Sequence, residues 1–231
     1  MSSTEFGEIV SSTCCIVPIY NEEQVIFQVV TDLKAIFPHV ICVDDGSSDQ
    51  SAAKAIDAGA MVLRHAVNIG QGAALSTGFS WVQSQTQFSY VVTFDADGQH
   101  RPDDALRLVS ELESKKVDVV FASRFLDQDQ ATVPLVKRLI LKTVTKITKF
   151  LTDVELSDAH NGLRALTVDA ARSINLTQNR MAHATQFVSL VLQSNLKYTE
   201  IPVTILYTPY SRSKGQSILN SINIALDLIW G

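Results

Sequence analysis

Residues 14–49 read CCIVPIYNEEQVIFQVVTDLKAIFPHVICVDDGSSD, and this stretch decides the fold. Near its two ends lie short apolar, β-branched runs, residues 14–19 and 40–43, which predict strands. Between them, residues 22–37 carry apolar side chains three and four positions apart, the spacing of a helix face. The order strand, helix, strand is the repeating unit of a mostly parallel sheet that is covered by helices.

The same alternation continues to residue 125. It predicts further strands at residues 61–65, 90–94 and 117–121, and further helices at residues 48–58, 72–83 and 103–114. The strand runs are largely apolar, as expected for strands that are buried on both faces. The sequence therefore predicts an α/β fold with a mostly parallel, Rossmann-like sheet flanked by helices.

Beyond residue 125 the predicted structure is mainly helical. Helices are predicted at residues 134–152, 169–174, 185–194 and 217–230, and one strand at residues 197–206. We find no long linker, so we expect a single domain over residues 1–231. The cationic helix at 134–152 and the apolar stripe of the terminal helix could contact a membrane surface or simply pack on the core, and both interpretations stay open.

Composition and charge narrow the function classes. The chain has 231 residues, of which 46% are hydrophobic and 19% charged, and a formal net charge of -5. This balance is typical of a globular protein, and it gives no support to a nucleic-acid partner. Cys14, Cys15 and Cys42 are interpreted as small buried hydrophobic residues in a reducing compartment. Residues 1–12 lack a signal-peptide pattern and no apolar run is long enough to span a bilayer, so we expect a cytoplasmic protein.

Polar clusters follow the predicted strands. They occupy residues 18–22, 44–49, 68–72, 95–100 and 123–124. Ligands of open parallel sheets bind beyond the carboxyl ends of the strands, so these clusters together predict a site at that edge. Ser47 or Ser48 also suits a helix N-cap, which gives part of the second cluster a purely structural interpretation.

The pair Asp95 and Asp97 is the most informative of these clusters. Two carboxylates so close together at a strand end repel each other, and a divalent cation relieves that repulsion. Oxygen ligands favour Mg²⁺ or Mn²⁺, which bind substrate phosphates and neutralise charge on a departing diphosphate. The alternative is a turn with solvated carboxylates. The acidic turn at residues 44–45 suits a nucleobase or ribose better than a diphosphate, and residues 68–72 lack the ending of a P-loop.

Four motifs, in this order, resemble the family 2 glycosyltransferases, which have the GT-A fold. They are IVPIYNEE at 16–23, VDDGSSD at 43–49, NIGQGAA at 68–74 and DADGQH at 95–100, with weaker matches at residues 158–164 and 213–215. The Gln99-His100 pair is similar to the branch of the dolichol-phosphate mannosyltransferases and polyprenyl-phosphate glycosyltransferases. The resemblance implies that residues 14–125 bind the nucleotide sugar and residues 126–231 face the acceptor and a membrane.

The resemblance also implies residue roles. A nucleotide-sugar pocket would be formed by Pro18, Tyr20, Glu22, Val43, Asp44, Asp45, Asn68, Asp95, Ala96, Asp97 and Arg124. Asp97 and Gln99 would hold Mg²⁺ or Mn²⁺. The catalytic residues would be Asp97, Arg124 and Lys214. Asp158 is a further catalytic candidate, as the general base for a hydroxyl acceptor, and it could equally cap the segment that follows it. His160, Arg164 and His183 could also belong to the site or serve a structural role.

Two departures from the family pattern affect the donor. Gln71 stands where the family often has Lys, and Thr208 stands where the mannosyltransferase branch has Arg. A UDP-sugar is therefore at least as well supported as a GDP-sugar.

Several functions fit these motifs. The first is an inverting, metal-dependent transferase that acts on a polyprenyl phosphate, peripheral to the membrane or held there by a small membrane partner. The second transfers to a saccharide hydroxyl in lipopolysaccharide or capsule synthesis. The third is a non-catalytic protein that binds nucleotide sugars. A phosphatase of the haloacid dehalogenase class is a fourth, because residues 94–98 resemble its nucleophile motif.

Overall fold

The computed structural model describes residues 3–126, 156–179, 182–208 and 210. Within these residues, seven strands form one sheet. In chain order they are β1 (Thr13–Ile19), β2 (His39–Asp44), β3 (Met61–Arg64), β4 (Tyr90–Thr93), β5 (Val119–Ser123), β6 (Arg164–Thr167) and β7 (Tyr198–Pro202).

Helices flank this sheet. In chain order they are α1 (Ser3–Ser11), α2 (Ile26–Lys34), α3 (Ser51–Asp57), α4 (Gln71–Gln83), α5 (Pro102–Lys115), α6 (Val168–Ser173) and α7 (His183–Gln193). The predicted alternation of strands and helices up to residue 125 is confirmed. The helices predicted at residues 134–152 and 217–230 lie outside the described residues.

The strand order in the sheet is β3-β2-β1-β4-β6-β5-β7. Neighbouring strands are parallel except at β6, which runs antiparallel between β4 and β5. The prediction of a mostly parallel sheet is therefore confirmed. Strand β6 was not predicted, because it has only four residues and begins with a charged one, Arg164. A run this short carries no readable alternation.

Two apolar clusters cover the two faces of the sheet. Along β1, Cys15 and Val17 point into one cluster, while Cys14 and Ile16 point into the other. Because side chains alternate between two covered faces, every position of β1 except the partly buried Pro18 is buried, which explains the uninterrupted apolar run. The three cysteines are free and buried, as the sequence predicts.

Several helices and strands begin or end at other residues than the sequence predicts. Residues 23–25 form a turn, so α2 begins at Ile26 and not at residue 22. Strand β7 ends at Pro202, four residues before the predicted end. Helix α1 was not predicted; its Ile9 is 5% exposed and packs on the core. Among the residues that the structure describes, no helix has the length and apolarity that crossing a membrane requires.

Candidate active site

A cavity of about 600 Å³ opens at the carboxyl ends of the central strands. The predicted site residues that line it are Pro18, Tyr20, Glu22, Asp45, Asn68, Asp95, Ala96 and Asp97, together with the further candidates His160, Arg164 and His183. Its remaining lining residues are Ile19, Gly70, Gln71, Ala74, Gly162 and Ala184. The structure thus brings residues from the first four polar clusters around one cavity, together with residues from the described part of the chain that begins at residue 156.

Hydrogen bonds join the loop after β1 to the loop after β2. The Asn21 N–H donates to Ser47 Oγ (3.0 Å), and the Ser48 N–H donates to Asn21 Oδ1 (2.9 Å). The Glu22 N–H donates to Ser51 Oγ (2.7 Å). Asn21 has a φ of 54°, a left-handed conformation that asparagine tolerates better than most residues. These contacts fix the wall of the cavity that carries Glu22.

The two aspartates of the second cluster have different environments. Asp44 is fully buried, accepts a hydrogen bond from the Ser47 N–H (3.0 Å) and pairs with Arg64 Nε (3.0 Å). It does not line the cavity. Val43 is also fully buried, in the apolar core. Neighbouring strand residues point to opposite faces, which separates Asp44 from Asp45. Of Val43, Asp44 and Asp45, only Asp45 lines the cavity.

Asp45 is held by a dense set of donors. Its Oδ1 accepts from the Ile69 N–H (2.9 Å) and contacts His65 Nδ1 (2.8 Å), and its Oδ2 accepts from the Gly70 N–H (2.7 Å). The other nitrogen of His65, Nε2, lies 2.9 Å from Thr77 Oγ1 on α4. Neither His65 nor Thr77 was predicted as a site residue. His65 follows β3 directly, so the rule that ligands gather at strand ends could have identified it.

Asp95 lines the cavity two residues after the end of β4. Its Oδ1 accepts from Gln71 Nε2 (3.1 Å), and its Oδ2 contacts His100 Nε2 (3.2 Å). The carboxylate also packs against Gly162, where an added Cβ would come within 2.1 Å of Oδ2. Gln71 thus gives Asp95 a neutral hydrogen-bond partner at the start of α4.

The charges around Asp95 and Asp97 shift their pKa values in opposite directions. Burial acts to raise the pKa of Asp95, but the His100 hydrogen bond and the positive charges of His100 and Arg164 outweigh it and lower that pKa. For Asp97, burial and then the charge of Asp95 raise the pKa to about 6. The pair therefore resists carrying two negative charges.

This donor set fits a divalent cation. A cation beside Asp97 would remove the repulsion that raises its pKa. The Asp97 Oδ1 also accepts from the Gln99 N–H (3.0 Å), which brings the two proposed ligands together. In the described part of the chain, no three His, Cys, Asp or Glu residues form a complete metal cage. Mg²⁺ needs only one or two carboxylates when waters and substrate phosphates complete its shell.

Arg124 and Asp158 form a separate buried pair beside this cavity. Arg124 Nε and Nη2 donate to the two Asp158 oxygens (2.6 and 2.5 Å), and the Arg124 N–H adds a third bond (3.1 Å). Asn161 Nδ2 donates to the same carboxylate (3.2 Å). Neither Arg124 nor Asp158 is among the residues lining the cavity. The Asp158 carboxylate thus serves mainly to hold Arg124.

Glu200 on β7 fixes the backbone that carries Asp158. Its carboxylate accepts from the Ser157 N–H (2.9 and 3.0 Å to its two oxygens) and from the Asp158 N–H (3.3 Å). The side chain of Ser157 donates to it as well (2.9 Å). Neither Glu200 nor Ser157 was predicted as a site residue, since their link to Arg124 spans distant parts of the chain.

Two histidines and an arginine, His160, His183 and Arg164, also line the cavity. Arg164 is 1% exposed and its guanidinium carbon lies 4.3 Å from the centre of the Phe187 ring. Burial lowers the pKa of Arg164 to about 10. Burial, and then the Arg164 charge, lower the pKa of His160 to about 4, so this imidazole is neutral at pH 7. His183 begins α7 and is also buried.

The chain after β7 returns to the cavity. The Leu206 N–H donates to the Gln99 carbonyl (2.8 Å), and the Tyr210 hydroxyl donates to Glu22 Oε2 (2.6 Å). This path passes the Asp97–Gln99 turn before it reaches the cavity wall. Lys214, predicted to approach the donor from this segment, lies outside the described residues.

Comparison with known proteins gives a consistent family. A family model described as "Glycosyl transferase family 2" matches residues 14–174. The UDP-N-acetylglucosamine–dolichyl-phosphate N-acetylglucosaminyltransferase of Methanococcus voltae is 27% identical, over 93% of this chain and 93% of that protein. The polyprenol monophosphomannose synthase of Mycolicibacterium smegmatis is 27% identical, over 92% of this chain and 82% of that protein.

Solved structures share the fold. The glucosyl-3-phosphoglycerate synthase of Mycobacterium tuberculosis, crystallised with Mn²⁺, UDP and glucosyl-3-phosphoglycerate, superposes with a TM-score of 0.67. The match covers 99% of this chain and 84% of that chain at 17% identity. At this identity the likeness supports the GT-A architecture alone.

Proposed function

The chain belongs to glycosyl transferase family 2, and from this premise we propose that it transfers a sugar from a nucleotide sugar to a polyprenyl phosphate. The observation that carries the proposal is the single cavity in which Asp45 and the Asp95–Asp97 pair both face the same space. A nucleotide sugar has a base that needs hydrogen-bond acceptors and a diphosphate that needs positive charge. Asp45 suits the first need, and a cation at Asp97 suits the second.

The names of the relatives support the acceptor. One transfers N-acetylglucosamine to dolichyl phosphate and another is a polyprenol monophosphomannose synthase, and both match this chain over nearly its full length. We extend this acceptor class to the present chain. The two sequence segments proposed for membrane contact, residues 134–152 and the terminal apolar stripe, are consistent with a lipid-borne acceptor, either directly or through a small membrane partner.

The proposed metal site uses Asp97 and Gln99. A bound Mg²⁺ or Mn²⁺ would neutralise charge on the leaving diphosphate. The fold neighbour crystallised with Mn²⁺ and UDP supports this assignment. In this proposal Asp95 stays fixed by Gln71 and His100 and orients the donor's sugar side, since its oxygens already accept hydrogen bonds.

The chain's other charged groups have distinct proposed roles. Arg124, oriented by Asp158, would face the donor phosphates or sugar, and Lys214 would approach from the C-terminal segment. A phosphate acceptor is already anionic and needs no general base to attack. This agrees with Asp158, whose carboxylate is committed to Arg124 and Asn161. Attack opposite the departing diphosphate would invert the anomeric carbon.

A donor panel tests the proposed function. The purified protein is incubated with Mn²⁺, polyprenyl phosphate and labelled UDP- and GDP-sugars, and label entering the lipid phase is measured. We expect one donor to label the lipid, and chelator or Asp97→Asn to reduce that rate at least about 100-fold, the range for losing a transition-state charge contact. Asp32→Asn is the control, because Asp32 is exposed on α2. Lipid labelling that survives Asp97→Asn and chelator would contradict the metal site.

A further inference from the structure

The carboxylate of Asp45 has almost no free hydrogen-bonding capacity. An ionised carboxylate offers about four acceptor positions, two on each oxygen. On Oδ1, both are taken, by the Ile69 N–H (2.9 Å) and by His65 Nδ1 (2.8 Å). On Oδ2, one is taken by the Gly70 N–H (2.7 Å). One acceptor position therefore remains, on Oδ2.

His65 is fixed in one tautomer by its two neighbours. A carboxylate can only accept, so His65 Nδ1 carries the proton that Asp45 receives. In the neutral ring, Nε2 is then an acceptor, and the Thr77 hydroxyl donates to it across 2.9 Å. The chain Thr77, His65, Asp45 thus has one consistent direction of donation. It prevents the carboxylate from rotating to offer a second free position.

Asp45 also lies where a flat ring could reach it. Its own N–H donates to the Ile19 carbonyl (2.9 Å), which places it beside the end of β1. Tyr20 follows directly, is 46% exposed and lines the same cavity. Only 3% of the Asp45 surface is exposed, so a ligand meets a narrow edge of the carboxylate.

We propose that this arrangement selects a base with one ring N–H donor, uracil, over guanine, and that His65 and Thr77 are the positioning residues for this selection. Uracil (and thymine, which has the same edge) presents one N–H between two carbonyls, which matches one free acceptor. Guanine presents two adjacent donors, which need both oxygens of a carboxylate. Cytosine carries an unprotonated ring nitrogen at the place of the uracil N–H. The inference rests on the proposed function, because it requires a nucleotide in this cavity.

Calorimetric titration of UDP, GDP and CDP into the full chain with Mn²⁺ tests the inference. For the wild type we expect UDP to bind at least about tenfold more tightly than GDP or CDP, the effect of one charge-assisted hydrogen bond. In His65→Leu we expect the affinity for UDP to fall about tenfold. The affinity for GDP should fall less, because Asp45 Oδ1 regains a free acceptor position. The UDP preference should then largely disappear.

Matched variants separate positioning from folding. His65→Asn keeps an N–H donor near the Nδ1 position and should retain most of the preference. Thr77→Ser keeps the hydroxyl and should behave as the wild type, whereas Thr77→Val should lose part of the preference. His39→Asn is the control, since His39 lies at the opposite end of β2 and packs against Phe88. In transfer assays, His65→Leu should raise the KM for the donor much more than it lowers kcat.

Three outcomes would overturn the inference. GDP or CDP binding as tightly as UDP to the wild type would contradict the base selection. An equal loss of affinity for UDP, GDP and CDP in His65→Leu would show that His65 has a purely structural role. If no nucleotide binds, the proposed function fails together with the inference. If UDP binds selectively but no sugar is transferred to any acceptor, the inference stands and the proposed function alone fails.

Discussion

At the scale of single residues, the strongest physical signal is the repulsion between Asp95 and Asp97. Asp95 receives a hydrogen bond from His100 and charge compensation from Arg164, and it remains ionised. Asp97 is left as the less compensated partner, and its pKa rises to about 6. Because the chain does not neutralise both carboxylates, a cation would bind favourably here. Without the cation, the repulsion lowers the free energy of unfolding of the protein.

This repulsion predicts that Asp97→Asn stabilises the metal-free protein at neutral pH. Because the folded pKa lies above the unfolded value, the stability that Asp97 contributes is complete below about pH 4 and is lost as pH rises through about 6. Urea unfolding in EDTA should show no difference from wild type at pH 4, and an advantage for Asp97→Asn of about 1–2 kcal/mol at pH 7.5 after allowance for solvent screening. Mn²⁺ should stabilise the wild type only. If the stability difference between Asp97→Asn and the wild type does not change with pH, the repulsion assigned to Asp95 and Asp97 is contradicted.

The sequence predicts which residues belong to the site where their position after a strand is enough to place them. Asp45, Asp95 and Asp97 follow apolar strands, so the strand-end rule places them at the site edge. The difference between Asp44 and Asp45 was not predictable, because it depends on which face each residue takes at the end of β2. His65 and Thr77 were missed because their role exists only through contacts with Asp45.

At the scale of elements, the site depends on loops that approach each other closely. Gly72, at the start of α4, has no room for a Cβ, which would lie 2.0 Å from the Gln178 carbonyl. Its N–H donates to the Asn179 carbonyl (2.8 Å). The loop before β6 approaches β4 in the same way, since the Thr93 hydroxyl donates to the Gly162 carbonyl (2.7 Å). These contacts join the segments that carry the acidic lining residues to the segments that carry His160, Arg164 and His183.

Gly162 therefore gives an element-level prediction. Its φ lies outside the left-handed region, so alanine suits the backbone, but the new Cβ would meet the Asp95 carboxylate at 2.1 Å. We expect Gly162→Ala to move Asp95 and to lower kcat/KM for sugar transfer at least about tenfold, as misplacement of a positioning group does. Gly7→Ala is the control: nothing lies within 4 Å of a Cβ there. It should keep full activity and stabilise α1 by about 0.5–1 kcal/mol. Full activity in Gly162→Ala would show that the position of Asp95 is not critical.

Elements were predictable where the apolar pattern was long. Strands β1 to β5 and helices α2 to α5 follow from periodicity, with errors of a few residues at their ends. The start of α2 was misplaced because hydrogen bonds to the loop after β2 hold residues 21–23 out of the helix. Strand β6 exists because β4 and β5 pair with it on both sides, and four residues cannot signal this alone.

At the scale of the whole molecule, the two parts of the chain combine at one edge of the sheet. Residues up to 126 supply the acidic lining residues of the cavity, and residues after 155 supply His160, Arg164 and His183. The α/β class and the site edge were predictable from the order of strands and polar clusters. His160, Arg164 and His183 were named as candidates from the sequence, but their place beside the acidic residues was not predictable, because β6 enters the middle of the sheet from far along the chain.

The central claim is that the acceptor is the phosphate of a polyprenyl phosphate. The most direct test supplies the labelled donor that the panel identifies, with either polyprenyl phosphate or the matching polyprenol, and measures glycolipid formation by mass spectrometry. We predict a glycosyl phosphate product from polyprenyl phosphate, inverted at the anomeric carbon and absent in Asp97→Asn. The matching polyprenol should give no product. Equal transfer to polyprenol, or product formed only on an added saccharide hydroxyl, would contradict the claim.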